Sequence, residues 1–316
     1  MKRISTFSKF EINEGIFSSD FKSLSKSIKD KARSLLNFSE IDSICRKLDI
    51  KNWTQNPDGT IDVVGEVDIS ELDLEKIPLK FGKVDGDFYC SHNKLTSLDG
   101  APREVTGNFF CSSNKLNTLK GSPTKVDGDF YCANNKLTNL DGGPSYVGGD
   151  FNCSKQELTN LEGAPREVTG SFYCSANLLI SLEGGPKEVG GNFNCSANKL
   201  TSLEGAPSRV GREFWCSDNK LTTLEGAPRE VGGYFCCSHN QLTSLEGGPR
   251  EVGGNFDCMS NPIFQVYKLF PNYKSFMDSL DYNYLRGTDI VKSRFKEALE
   301  EMGGELPDRI KGYKYI

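Results

Sequence analysis

Apolar residues return at a constant spacing of 21 residues over most of the chain. Nine cysteines mark this period at positions 90, 111, 132, 153, 174, 195, 216, 237 and 258. Each follows a Phe by two residues, and in the first eight units Leu comes five and eight residues after the Cys, Pro twelve after and Val fifteen after. A strict period in the twenties predicts a solenoid whose stacked turns share one core.

The stretch "VTGNFFCS" around Cys111 predicts the local structure of each unit. Val105, Gly107, Phe109 and Cys111 alternate with polar residues, as the side chains of a single strand do. The following Gly and Pro disfavour a long helix, so the units are expected to stack as one parallel sheet. Nine strands at about 4.8 Å span about 40 Å.

An Asn lies three residues after each of these cysteines, with Gln156 as the exception. The amide lies where the chain leaves the sheet, and it is expected to satisfy backbone groups that the strands leave unpaired. Gln156 is longer by one methylene, so a local distortion is expected in "CSKQEL".

The unit V-x-G-x-F-x-C-x-x-N-x-L-x-x-L resembles the leucine-rich repeat pattern, and its 21-residue length resembles the short bacterial class. The segment from Lys47 to Val84 is similar to the beginning of leucine-rich repeat proteins encoded by large tailed bacteriophages. In it Val67, Ile69, Leu74, Ile77 and Val84 lie one period before matching positions, as in a degenerate first repeat. The resemblance implies a leucine-rich repeat solenoid of about ten units that binds other molecules, with little helix on its convex side.

The two ends of the chain leave the repeat pattern and predict helical caps. Residues 1–50 predict a helical N-terminal region, with one helix from about Ser19 to Asn37 and a second capped by Ser39. Residues 51–84 predict a hairpin at "NPDG" and the degenerate repeat. Residues 85–266 carry the repeats, and 267–316 are predicted to form a helical C-terminal region. After Asn261 the segments "PIFQVYKLFPNYKSFMDSL" and "TDIVKSRFKEALEEMGG" are predicted helices. Caps are expected to cover the open ends of the stack, and one of them contacting a partner is the alternative.

Composition narrows the class of partner. The formal net charge of -5 provides no overall attraction for nucleic acid or anionic lipid. No apolar run approaches the roughly 18–20 residues of a membrane span, and the first residues lack the features of a secretory signal. A cytoplasmic protein with reduced thiols is therefore expected, without membrane or nucleic-acid partners.

The eleven cysteines are expected to serve packing rather than chemistry. The cysteines of neighbouring units lie within disulfide range, but their side chains point the same way. Cys is also a small residue that packs well when buried. Cys236 is the exception, since the alternation turns it outward as a candidate reactive thiol. His92 and His239 occupy the same repeat position about 34 Å apart, so no metal site, cofactor or catalytic residue is predicted.

The outward positions of the strands provide the candidate site. Aromatic residues recur one residue before the cysteines, and acids recur three before; in leucine-rich repeat proteins these positions form the concave face. Exposed Tyr and Trp favour an interface, and Arg212 replaces a Gly present in the other units. The predicted partner-binding residues are Tyr89, Phe110, Asp129, Tyr131, Asp150, Tyr173, Arg212, Glu213, Trp215 and Tyr234.

Each feature of this face has a plainer interpretation. Stacked aromatic rings stabilise neighbouring strands without any partner. Asp129 and Asp150 are close enough to raise each other's pKa, although a solvated acidic face is favoured. A lysine column at 94, 115, 136, 199 and 220 is interpreted as solubilising charge.

The leading hypothesis is a non-enzymatic scaffold that binds another protein through the concave face. The phage resemblance implies a host protein as partner and inhibition of a host defence factor as purpose. A virion or assembly component is the alternative. An enzyme similar to leucine-rich repeat ubiquitin ligases is disfavoured, because no cysteine follows Cys258. The pattern leaves the oligomeric state open.

Overall fold

Each 21-residue unit forms one turn of a solenoid with two short strands in two parallel sheets. The computed structural model describes residues 26–280, 284–286 and 288–316, with the main chain alone for residues 26–36. Sheet A has eleven strands and sheet B ten, and consecutive turns pair in register along both sheets. This is the architecture of a leucine-rich repeat solenoid, as predicted.

The strands of the two sheets alternate along the chain. Sheet A consists of Trp53–Gln55, Ile61–Val64, Phe81–Asp85, Glu104–Val105, Lys125–Val126, Tyr146–Val147, Glu167–Val168, Glu188–Val189, Arg209–Val210, Glu230–Val231 and Glu251–Val252. Sheet B consists of Val67–Asp68, Phe88–Tyr89, Phe109–Phe110, Phe130–Tyr131, Phe151–Asn152, Phe172–Tyr173, Phe193–Asn194, Phe214–Trp215, Phe235–Cys236 and Phe256–Asp257.

The expectation of one strand per unit was wrong, because a corner separates the Val from the Phe. In the turn of Cys153 that corner is Gly148–Gly149, between Val147 and Phe151. A Cβ on Gly149 would lie 2.2 Å from Oδ1 of Asp129, so the close approach of the previous turn requires glycine there. Inward and outward positions do alternate from Val147 to Phe151, but the alternation continues through the bend and so does not mark a single strand.

The core is a set of parallel columns, one for each repeated apolar position. The Val, Phe, Cys and Leu of successive turns are buried against their counterparts. The Phe rings from Phe88 to Phe256 stack nearly parallel, with centroids 5.2 to 5.5 Å apart. Each ring therefore contacts a ring above and a ring below, and this stacking stabilises the solenoid only if Phe returns at the same position in every turn.

The Asn row ties neighbouring turns together, as predicted. Asn198 donates from Nδ2 to the carbonyls of Cys174 (3.1 Å) and Cys195 (2.9 Å), and its Oδ1 accepts the N–H of Leu179 at 3.0 Å. The expected distortion at Gln156 was wrong. Its Nε2 reaches the carbonyl of Cys132 at 2.6 Å and its Oε1 accepts the N–H of Leu137, because the longer side chain spans the same gap.

The N-terminal region contains one described helix where two were predicted. Helix α1 spans Lys26–Lys47 without a break, so Ser39 lies inside it rather than capping a second helix. No Gly or Pro interrupts this stretch, and a Ser alone does not stop a helix. The predicted residues 19–25 lie outside the described part.

The hairpin and the degenerate repeat form as predicted. Trp53–Gln55 pairs antiparallel with Ile61–Val64 across the "NPDG" turn, where Gly59 has a φ of 83°. Val67–Asp68 then pairs with Phe88–Tyr89 as the first strand of sheet B.

The C-terminal region combines helices with a small sheet that was not predicted. The first predicted helix is divided into α2 (Phe264–Tyr267) and α3 (Tyr273–Ser279), because Pro271 interrupts it. Helix α4 spans Lys292–Glu301 and buries Phe295 and Leu299. The third sheet consists of Leu285–Arg286, Asp289–Ile290 and Lys314–Tyr315. The Tyr273 ring lies on Phe256 with centroids 4.1 Å apart, so this region covers the last Phe of the stack.

Candidate functional site

Two parallel columns of side chains run along sheet B. The aromatic column consists of the second residue of each strand, and the acidic column consists of the residue directly before each strand. The register pairs Tyr89 with Phe110, Phe110 with Tyr131, and Asn194 with Trp215. The aromatic column contains five predicted site residues: Tyr89, Phe110, Tyr131, Tyr173 and Trp215. The acidic column contains four: Asp129, Asp150, Glu213 and Tyr234. Together they form the sheet B face.

Three aromatic rings run together at the N-terminal half of this face. Tyr89 and Phe110 stack with centroids 5.1 Å apart, and Phe110 meets Tyr131 edge to face at 5.0 Å. All three are only half-buried, so their outer surfaces remain open to solvent. Tyr173 and Trp215 continue the column singly.

Asparagines separate the rings in the C-terminal half of the column. Oδ1 of Asn152 accepts the N–H of Ser154 at 3.0 Å, and Oδ1 of Asn194 accepts that of Ser196 at 2.9 Å. Both bonds stabilise the turn that leaves the strand. These asparagines are thus explained by local structure.

The acidic column is a hydrogen-bonded ladder, and its acids remain partly exposed to solvent. Oδ1 of Asp129 accepts the backbone N–H of Asp150, and Oδ1 of Asp150 accepts that of Ser171, both at 2.7 Å. Asp87, Asn108, Ser171 and Asn192 make the equivalent bond at 2.6 to 3.1 Å. In each of these residues, whether Asp, Asn or Ser, one side-chain oxygen therefore has a structural role, because it accepts the backbone N–H of the next turn.

The second carboxylate oxygen is available to the aromatic column. Oδ2 of Asp87 accepts the hydroxyl of Tyr89 at 2.8 Å, and this bond is the first cause that raises the pKa of Tyr89 to about 12. Burial, followed by the charges of Asp129 and Asp150, raises the pKa of Tyr131 to about 12. Both tyrosines remain protonated donors at neutral pH in a negative field.

The divergent turn of Cys216 places Arg212, Glu213 and Trp215 along one edge of the face. Arg212 is exposed, and the ladder reaches this turn through Glu213, whose N–H donates to Oδ1 of Asn192 at 3.1 Å. The Trp215 ring is half-buried. Trp215 lies in the same column as Tyr131 and Tyr173.

Cys236 lies in the outward column as predicted, but it is covered, so its interpretation as an accessible reactive thiol was wrong. Its side chain is 7% exposed, and its Sγ lies 3.2 Å from Oγ of Ser238. The Tyr234 hydroxyl donates to Oδ2 of Asp257 at 3.0 Å beside it. Tyr234 thus closes over the thiol, and burial first, then hydrogen bonding, raises the pKa of this Tyr.

The nine column cysteines are buried and unpaired, as the packing interpretation predicted. Burial raises the pKa of their thiols, to about 12 for Cys132. The thiol of Cys195 donates to the Trp215 carbonyl at 3.4 Å in the next turn. These contacts describe a packed column that water and reagents do not reach.

The described part of the chain contains no group of three or more His, Cys, Asp and Glu side chains arranged to hold a metal ion. Over the same residues, each helix falls short of the length and apolar character that crossing a membrane requires. The predicted lysine column is exposed, and within it Lys94 contacts Asp73 at 3.0 Å.

Sequence reasoning missed the ladder and the second sheet. The signal for both was the Gly that precedes the acidic column in every turn except that of Arg212. A Cβ at Gly170 would lie 2.4 Å from Oδ1 of Asp150, so the glycine column records where side-chain oxygens cross between turns.

Comparison with known proteins adds little to this description. No family model and no curated protein matches the chain. Among solved structures it is similar to YopM from Yersinia enterocolitica WA-314, with 14% identity, 62% of this chain and 64% of that chain covered, and a TM-score of 0.28. The chain thus spans somewhat less than two thirds of that protein's length. The assignment of the fold rests on the chain's own repeat and strand register.

Proposed function

We propose that the protein is a non-enzymatic scaffold that binds another protein through the sheet B face. The observation that carries the proposal is the run of half-exposed rings from Tyr89 to Tyr131, continued by Tyr173 and Trp215. Tyr and Trp bury a large area at little cost in conformational entropy and dominate many protein interfaces. Leucine-rich repeat solenoids are typically used as binding scaffolds of this kind.

The charge of the face favours a partner surface that carries Lys or Arg. The ladder fixes the carboxylates of Asp87, Asp129 and Asp150 through Oδ1, and it leaves the second oxygen of Asp150 without a hydrogen bond from the described residues. A guanidinium can stack on an aromatic ring while donating to a neighbouring carboxylate. A fixed carboxylate beside a ring is therefore pre-organised for a basic segment.

The finer assignment follows from the resemblance to phage-encoded leucine-rich repeat proteins. It makes the partner a protein of the host cell, with a defence factor as the target that the scaffold blocks. The same assignment places the protein in the host cytoplasm, where its unpaired thiols remain reduced.

A capture experiment tests the binding face. The chain is immobilised, exposed to lysate of a bacterial host, and the retained proteins are identified by mass spectrometry. Changing Tyr131, Tyr173 and Trp215 together to Ala is expected to abolish retention and to lower the melting temperature by only a few degrees. Lys187→Glu, on the sheet A side, is the matched control and should retain the partner.

Two results contradict the proposal. Undiminished retention by the triple variant removes the sheet B face from the interaction. Finding the chain as a component of purified phage particles, with no host protein retained, favours the alternative role in virion structure or assembly.

A further inference from the structure

One edge of the solenoid carries an apolar patch that interrupts an otherwise polar repeat. Four residues after the Cys, five of the nine units have Lys, and six residues after it, six of the nine have Thr, as in Lys199 and Thr201. In the turn of Cys174 these positions hold Leu178 and Ile180, which are 39% and 64% exposed. Large apolar side chains exposed together in a polar column mark an interaction surface.

Two alanines enlarge this patch, one in the same turn and one in the next. Ala176 and Ala197 lie two residues after their cysteines, both exposed and both with a φ of 55°. The same position elsewhere holds polar residues such as Asn134, and Asn adopts this left-handed backbone at a lower cost in free energy than Ala does. Four apolar side chains therefore occupy two neighbouring turns, and we call this set the flank patch.

Charged residues border the flank patch in a mirrored order. On the side of the preceding turn lie Lys155 and Glu157, and on the side of the following turn lie Asp218 and Lys220. All four are exposed, and none has an ion-pair partner within the described residues. Two residues after the Cys, the charge is positive at Lys155 and negative at Asp218. Four residues after the Cys, it is negative at Glu157 and positive at Lys220.

We propose that the flank patch binds a second copy of this chain, with the two solenoids antiparallel about a two-fold axis between the turns of Cys174 and Cys195. Lys155 then faces Asp218 of the second copy, and Glu157 faces its Lys220. Ala176 meets Ala197, and Leu178 lies along the aliphatic stem of Lys199. Such an interface is isologous, so each contact occurs twice.

Charge selects this arrangement over its neighbours. Moving the axis onto the turn of Cys174 sets Lys136 against Lys220. In the proposed register Lys136 faces Gln241, and each of the two ion pairs lies about 7 Å from the axis along the stack, given strands about 4.8 Å apart. Like charges in direct opposition are costly, so the flank specifies its own register.

The sheet B face takes no part in this contact, since the flank residues follow the strands rather than belonging to them. The dimer and the proposed binding of a partner protein are therefore separate claims. A dimer presents two sheet B faces to one multivalent partner or to two partners.

Sedimentation equilibrium of the full chain tests the dimer. The wild type is expected to sediment at twice the 35.0 kDa chain mass at micromolar concentrations. Leu178→Lys with Ile180→Thr restores the common residues of the repeat, so it should fold normally and sediment as a monomer. Lys187→Glu, in the same turn on the sheet A side, is the control and should remain dimeric.

Charge exchange tests the register. Glu157→Lys and Lys220→Glu should each weaken the dimer by about tenfold or more, and the two together should restore it, because each new Lys faces a new Glu. A monomeric wild type overturns the proposal, as does a dimer that Leu178→Lys with Ile180→Thr leaves intact. Single variants that weaken the dimer without restoration in the double variant overturn the proposed antiparallel register.

Discussion

Oδ1 of Asp129 accepts the backbone N–H of Asp150 at 2.7 Å, so an acid directly before a strand of sheet B joins one turn of the solenoid to the next. The same residue contributes a negative charge beside the Tyr131 ring. One side chain thus serves the fold through one oxygen and the proposed interface through its charge. The two roles are separable by substitution.

Asp129→Asn is expected to leave stability nearly unchanged and to weaken capture of a basic partner. Asn keeps the acceptor oxygen, as Asn108 and Asn192 do naturally in this column, but it removes the charge. Asp129→Ala removes the acceptor as well and should lower the free energy of unfolding by about 1–2 kcal/mol. Urea unfolding and the capture assay together separate these effects; equal stability of the Ala and Asn variants would show that the ladder bond contributes nothing.

Asn198→Leu is expected to lower the free energy of unfolding by about 3 kcal/mol. The substitution leaves the carbonyls of Cys174 and Cys195 and the N–H of Leu179 without their partner in a buried setting. Chemical denaturation of the full chain measures the loss.

Two variants are controls for this substitution. Asn117→Leu changes an exposed Asn and should alter stability by less than about 0.5 kcal/mol. Gln156→Asn restores the common residue and should be tolerated. Equal effects of Asn117→Leu and Asn198→Leu would remove the special role of the Asn row.

Stability is expected to fall steeply above about pH 9. Burial raises the pKa of the column thiols in the folded protein, whereas an unfolded thiol titrates near 8.5. Below the unfolded pKa both states are protonated and the stabilisation is complete. Above it the unfolded state binds fewer protons than the folded state, so the free energy of unfolding decreases by about 1.4 kcal/mol per pH unit for each thiol.

Urea midpoints between pH 7 and pH 10.5 measure this dependence. Cys132→Ala removes one thiol and should make the slope shallower by one such contribution, whatever its effect on stability at pH 7. A midpoint that stays level from pH 8.5 to pH 10.5 contradicts the burial of the cysteine column.

Tyr273→Ala is expected to expose the end of the Phe stack and promote self-association at high concentration. The ring covers Phe256, and its hydroxyl donates to the Pro249 carbonyl at 2.7 Å. Tyr273→Phe keeps the ring and should lose only about 1 kcal/mol of stability without aggregating. Light scattering compares the two variants, and aggregation of both to the same degree would assign the effect to the hydroxyl instead.

The repeat predicted the columns of the core because a solenoid places equivalent residues of successive turns in contact. Phe193 stacks on Phe172 and Phe214, and Cys195 is buried, as the period required. The positions of Tyr131 and Trp215 on one face followed from the same reasoning. The alternation of inward and outward residues did not show that Gly148–Gly149 turns the chain between two sheets, because a bend keeps that alternation; the repeated Gly was the one local sign of it.

The sequence by itself determined the solenoid, its 21-residue step, the buried Cys and Phe columns and the residues that share the outward face. Tertiary structure alone decided which polar atoms are used. Oδ1 of Asp150 is committed to the N–H of Ser171, and Cys236 is covered beside Tyr234 and Asp257. These outcomes depend on hydrogen bonds between neighbouring turns, with donor–acceptor distances of 2.6 to 3.1 Å. A pattern of residue types specifies which positions stack, but it does not specify how their side-chain atoms meet.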